Sequence, residues 1–122
     1  MPFYFYSILI AGLLPYAATL IAKSRKDFDN ANPRAWLAKQ EGFRARAHAA
    51  QLNSFEALPF FAAAVIVAHL RGAPPDTINL LCAIFIAARV LYLVLYLANL
   101  APLRSLAWLA ALICTISMFF VG

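Results

Sequence analysis

The chain has 122 residues, 65% of them hydrophobic and only 12% charged, against roughly 45–50% apolar and roughly 25% charged in soluble domains. One domain of this length cannot hide so much apolar surface in a single core, so the excess must face lipid or a partner. Ten Lys and Arg against five Asp and Glu give a formal charge of +5, but the basic residues are clustered near the ends of apolar runs, which argues against a nucleic-acid surface.

In chain order, residues 3–22 carry no ionisable charge, and twenty helical residues reach roughly 30 Å, the thickness of a bilayer's hydrocarbon core. This first apolar run has no basic stretch before it and no A-x-A-like cleavage site after it, so it reads as a retained span and not a signal peptide. From Lys23 to Arg46 the chain is polar and turn-rich, with a break at Asp29-Asn30-Ala31-Asn32-Pro33. A second helix then starts near Ala35 or after Gly42, and its membrane span covers about 45–70. Arg71-Gly72-Ala73-Pro74-Pro75 stops it. Asp76 or Thr77 is positioned to cap a third span, about 77–100, and Pro102 separates it from a fourth, about 105–121. The expected fold is one all-α domain over 1–122, an integral-membrane four-helix bundle that forms a homo-oligomer.

Lys23, Arg25, Lys26, Arg34, Lys39 and Arg44 crowd the first loop and Arg104 the third, whereas the second has Arg71 beside Asp76. The positive-inside rule then puts the first and third loops in the cytoplasm and both termini on the opposite side. The short loops suit a bacterial inner membrane, and the basic loop suits contact with lipid headgroups. Cys82 and Cys114 lie inside the third and fourth spans, where apolar surroundings favour the inert thiol. His48 and His69 have no obvious second ligand, so no metal site is expected.

Polar side chains at membrane depth cost several kcal/mol unless paired or wetted, so those present are functional candidates. In the second helix Arg46, Asn53 and Glu56 fall at i, i+7 and i+10, with Gln51 placed close to that face. In the third, Arg89, Tyr92 and Tyr96 fall at i, i+3 and i+7, with Arg104 just past the helix end. Glu56 and Arg89 are the expected intramembrane ion pair. The bland reading is that this pair locks two helices together while the tyrosines anchor at the interface. Against it, the ensemble offers more donors than Glu56 can accept, which points to an anionic guest.

Asp29-Asn30-x-x-Pro33-Arg34, the run from Arg46 to Pro59 with its Asn53-x-x-Glu56-x-x-Pro59 core, Arg89-x-x-Tyr92-x-x-x-Tyr96 and Ala101-Pro102-x-Arg104-Ser105 together resemble the MAPEG family, membrane-associated proteins in eicosanoid and glutathione metabolism, in a bacterial-type form. The resemblance covers essentially the whole chain. It implies a four-helix subunit, usually a homotrimer, binding glutathione as co-substrate between neighbouring subunits in the cytoplasmic half of the membrane. By that likeness Glu56 takes the amine, Asn53 and Gln51 the peptide groups, and Arg89 and Tyr96 orient the tripeptide. Arg46 adds a donor, Tyr92 sits where relatives vary, Arg104 stabilises the thiolate and Ser105 donates to the sulfur. Ala49 stands where many family enzymes carry an arginine, and the stretch from Tyr96 to Arg104 is one residue shorter than the prostaglandin-synthase pattern.

A glutathione transferase or peroxidase acting on a lipophilic small molecule from the bilayer is thus the leading reading. A non-enzymatic structural or lipid-binding homo-oligomer is the alternative. A small multidrug exporter fits poorly, because such exporters place an essential acid in the first helix and residues 3–22 have none.

Overall fold

A computed structural model describes residues 1–24 and 29–121; Arg25 and Lys26 of the basic loop lie outside the described residues. The described residues form five helices in the order α1 Phe3–Ala22, α2 Pro33–Ala38, α3 Gly42–Leu70, α4 Pro75–Leu97 and α5 Ala101–Ser117. The protein is an all-α membrane bundle. Three of its helices, α1, α3 and α4, are long and apolar enough to cross a bilayer. The fourth span has the expected length but begins about four residues earlier than 105: α5 has 17 residues and reaches about 25 Å.

Both proposed starts of the second helix are used. Pro33, with its preset φ and missing N–H, opens α2 at the first helical position, after a turn in which Asp29 accepts hydrogen bonds from the Ala31 N–H and the Asn32 amide. Leu37 of α2 then packs with Ala22 and Ala47. Gly42, at φ +65°, supplies the left-handed residue that opens α3.

The end of α3 follows the sequence signal. Gly72 adopts φ +74°, its N–H bonds to the His69 carbonyl and the Ala73 N–H to the Ala68 carbonyl, the two bonds of a Schellman stop. Two expected details differ. Neither Asp76 nor Thr77 caps the third span: Pro74 holds the cap position, Pro75 begins α4, and Asp76 sits in the first turn, where a carboxylate complements the helix dipole. Pro102 does not separate the last two helices; it lies in the first turn of α5, where its absent N–H costs nothing. Arg104 is therefore a residue of α5 and not of a loop.

The tight link between α4 and α5 depends on Asn99, a non-glycine residue at positive φ, +60°. Its N–H bonds to the Tyr96 carbonyl and that of Leu100 to the Leu95 carbonyl, a second Schellman stop. Asparagine tolerates this conformation better than other side chains.

In the bundle α1 packs chiefly on α3 and α5 chiefly on α4, with α3 and α4 joining the two pairs. Small residues at the seams, including Ala11, Ala64, Ala68 and Ala111, are buried and allow close helix approach. At the centre the rings of Phe61 and Phe85 stack at 3.7 Å between centroids. Two ends result. One gathers α2 with the start of α3, the end of α4 and the start of α5; the other gathers the start of α1, the end of α3 and the Gly72 turn.

Candidate functional site

Arg89 lies on α4 with 3% of its surface exposed. It forms no ion pair with Glu56, contrary to expectation. Instead its Nη2 donates to Asn53 Oδ1 at 2.8 Å and to Ser54 Oγ at 3.4 Å, and the guanidinium lies 4.3 Å from the centroid of the Tyr92 ring. Two uncharged oxygens on successive residues of α3 occupy the place assigned to the carboxylate. The Glu56 side chain, further round the helix, is exposed. Arg89 is consequently a buried cation with no carboxylate partner among the described residues. A charge in that position invites an anion, because an unpaired ion in a low-dielectric setting is costly.

Beside Arg89 is a cavity of about 230 Å³, lined by Asn53, Glu56 and Phe60 of α3, Phe85 and Arg89 of α4, and Trp108 of α5, among others. It is polar at one end and aromatic at the other. Both hydrogen bonds of Arg89 leave from Nη2, so its remaining N–H groups are uncommitted to those bonds.

From the cavity a ladder of alternating charge and ring climbs toward the α2 end. Arg89 rests on Tyr92, the Tyr92 and Tyr96 rings meet edge to face at 5.6 Å, and Arg104 of α5 lies 4.4 Å from the Tyr96 centroid. Cation–π contacts of this kind hold guanidinium planes in fixed orientation while leaving their N–H edges free. Tyr92 is buried and Tyr96 half-buried. The ladder rises over seven residues of α4, about 10 Å, which is close to the reach of an extended tripeptide. The Asn99 turn is what allows Arg104 to fold back onto Tyr96.

The remaining expected residues divide. Arg46 donates from Nε and Nη2 to the Leu97 carbonyl, at 3.3 and 3.1 Å, satisfying the exposed end of α4. Ser105 follows Arg104 and is exposed. Gln51 is not on the Asn53 face. Two residues apart means roughly 200° of rotation, and the stripe that Gln51 shares with Phe55 and Leu58 borders α1, where Phe55 meets Tyr16 and Leu58 packs over Gly12. Sequence reasoning missed Ser54, Phe60, Phe85, Trp108 and Asn99. Ser54 had a signal, since it follows Asn53 and turns toward the buried side; the aromatics read as ordinary apolar residues.

Comparisons with curated proteins and with solved structures found no match. The sequence model of the MAPEG family matches residues 3–122, a match that takes in every element of the site just described, and the chain belongs to the MAPEG family.

Proposed function

We propose that this protein is a glutathione-dependent membrane transferase or peroxidase, in which the Arg89 cavity and the ladder above it hold glutathione and Arg104 activates its thiol. The buried guanidinium of Arg89, unmatched by any carboxylate among the described residues, is the observation that carries this reading. Glutathione brings two carboxylates, an ammonium and a thiol. Arg89 offers a carboxylate its uncommitted donors, Asn53 and Tyr96 offer polar contacts to the peptide groups, and the exposed Glu56 offers an acceptor for the ammonium. Arg46 keeps the end of α4, and hence the ladder, in place.

Arg104 cannot act as a base, because a guanidinium stays protonated. It favours the thiolate over the thiol by charge and hydrogen bonding, with Ser105 as a second donor to sulfur and water taking the proton. The thiolate then attacks a lipophilic substrate arriving from the bilayer: at an electrophilic carbon it forms a C–S bond and expels the leaving group with its electron pair, and at a hydroperoxide it takes the terminal hydroxyl oxygen, the O–O bond breaking to leave glutathione sulfenic acid and an alkoxide that water protonates. The exposed Phe60 and Trp108 at the aromatic side of the cavity give such a substrate an apolar approach. The α2 end faces the cytoplasm in this reading, because the basic residues of the first loop gather there.

An ultraviolet difference titration of detergent-solubilised protein with glutathione tests the proposal. A saturable thiolate band that is lost in Arg104→Ala, with the variant still folded, is the expected result. No band, together with no heat of binding in calorimetry, would sink it and leave a structural or lipid-binding oligomer on the same scaffold.

A further inference from the structure

One turn of α4 from Phe85, toward the Gly72 end, three sulfur atoms gather. Cys82 of α4 and Met118, the C-cap residue of α5, are fully buried, and Cys114 of α5 nearly so; all three belong to one apolar cluster. The Cys82 thiol donates to Met118 Sδ across 3.9 Å. Cys114 precedes Met118 by four residues and so shares its side of the helix, and it lies close enough to Cys82 for the two to interact electrostatically. The hydroxyl of Ser7 on α1 also reaches Cys82. Taken one at a time, thiols in apolar spans read as inert. The structure brings the two of them together with a thioether.

A thiol is a weak donor and a thioether a weak acceptor, so the bond between Cys82 and Met118 adds little to the fold. As a donor set the trio is distinctive, because thiolate and thioether sulfur select soft metal ions, copper(I) above all. Three sulfurs around one ion in a trigonal plane, with metal–sulfur bonds of about 2.3 Å, stand about 4 Å apart. The Cys82 to Met118 separation already matches one edge of that triangle.

We propose that Cys82, Cys114 and Met118 form a binding site for copper(I) between α4 and the end of α5. Loading is a ligand exchange: the Cys82 S–H bond breaks, its proton leaves to water, and the thiolate sulfur binds the ion, while Cys114 and Met118 donate lone pairs from neutral sulfur. One positive charge replaces another, so the buried cluster keeps its net charge, and no electron is transferred. Zinc(II) in the same exchange would leave an extra positive charge in an apolar setting and lacks the four-coordinate shell it favours. Ser7 is placed to turn its O–H toward the thiolate. Entry needs no span to unwind: Met118 lies past the last residue of α5, in a turn that Arg71 ties down by donating to the Phe119 carbonyl, and opening that turn bares the sulfurs at the Gly72 end. None of the three lines the Arg89 cavity, so the site stands apart from the glutathione reading.

The test measures copper(I) retained by the detergent-solubilised full-length protein, kept under ascorbate without oxygen or added thiol and challenged with bicinchoninate, a coloured copper(I) chelator. One copper per chain is expected to stay, and zinc(II) offered in the same way is expected to leave. Cys82→Ala should abolish retention. Met118→Leu, which conserves core volume, should weaken it by roughly tenfold or more, since even outer-shell partners of a metal are worth that much. Copper(I) should also raise the melting temperature of the unsubstituted chain and leave that of a Cys82→Ala, Cys114→Ala chain unchanged. Equal retention by the unsubstituted and double-alanine chains would mean an adventitious ion only, held by surface groups such as His69, and overturns the proposal. So does a Met118→Leu chain that binds as tightly as the unsubstituted one, or zinc(II) held as firmly as copper(I). If the alanine chains do not fold, Cys82→Ser, which keeps the volume and offers copper(I) only a hard oxygen, takes their place in the same comparison.

Discussion

The two ends of the bundle treat their polar groups in opposite ways. At the Gly72 end, the Tyr4 hydroxyl and His69 Nδ1 share a 2.8 Å hydrogen bond, the Tyr4 N–H donates to Asn79 Oδ1, Ser7 donates to the Tyr4 carbonyl, and Arg71 donates to the Phe119 carbonyl. These bonds tie α1, α3, α4 and the chain beyond α5 to one another. At the α2 end, Arg89 has no counter-ion among the described residues, Glu56 has none either, and Arg44 Nε, His48 Nδ1 and Gln51 Oε1, the buried side-chain atoms without a hydrogen-bond partner among those residues, all lie on the first turns of α3. Groups that satisfy each other hold a fold; groups left unsatisfied at membrane depth, where each costs free energy, are retained for something that arrives later.

The sharpest way to break this contrast is Arg89→Met. Methionine matches the length of the arginine stem and needs no hydrogen bonds, and replacing a buried charge by an apolar group of similar volume is often neutral for stability. The melting temperature in detergent should therefore move little, while glutathione affinity falls by about thirtyfold or more, the value of a charged hydrogen-bonding partner. A variant that unfolds but, where folded, binds glutathione normally would make Arg89 a structural group and erase the difference between the ends.

Asn99 sharpens the contrast one level down. Asn99→Ala places a side chain with no local hydrogen bonding in a left-handed conformation, at a cost of about 1 kcal/mol, and Asn99→Gly should match or slightly exceed the native stability. Thermal unfolding of the two variants reads this directly. The same alanine variant should show a weaker thiolate band, because the turn positions Arg104 over Tyr96; an unchanged band would mean that Arg104 is held by α5 alone.

Much of this was legible in the residues themselves. Apolar runs gave the spans to within a few positions, and Gly72 before two prolines marked its turn, since local chain chemistry dominates there. The stripe of Arg89, Tyr92 and Tyr96 was legible from period alone. The partner of Arg89 was not: periodicity puts Asn53, Ser54 and Glu56 all within reach of a facing helix, and only the rotation of α3 about its axis selects between a carboxylate and two neutral oxygens. Gln51 is a different case: periodicity alone separates it from Asn53, because residues two apart in sequence fall on opposite sides of a helix. Asn99 carried a weak signal, asparagine's tolerance of positive φ, that composition around it did not amplify. Pro102 looks like a break between spans, yet the first turn of a helix accepts proline readily and α5 begins there.

The mildest perturbation belongs to the satisfied end. Tyr4→Phe keeps the ring, which packs edge to face on Phe5 at 4.8 Å, and removes only the hydroxyl that meets His69. Because His69 is exposed, its freed nitrogen finds water or a lipid headgroup, so the expected loss is about 1 kcal/mol or less, read as a small drop in melting temperature. Glutathione affinity should not change at all. The hydroxyl lies at the opposite end of α3 from the ladder, and the stacked Phe61 and Phe85 rings between them carry no polar connection. A measurable loss of affinity in this variant would mean that the two ends are coupled through α3, and that the bonds at the Gly72 end hold the cavity in shape as well as the fold.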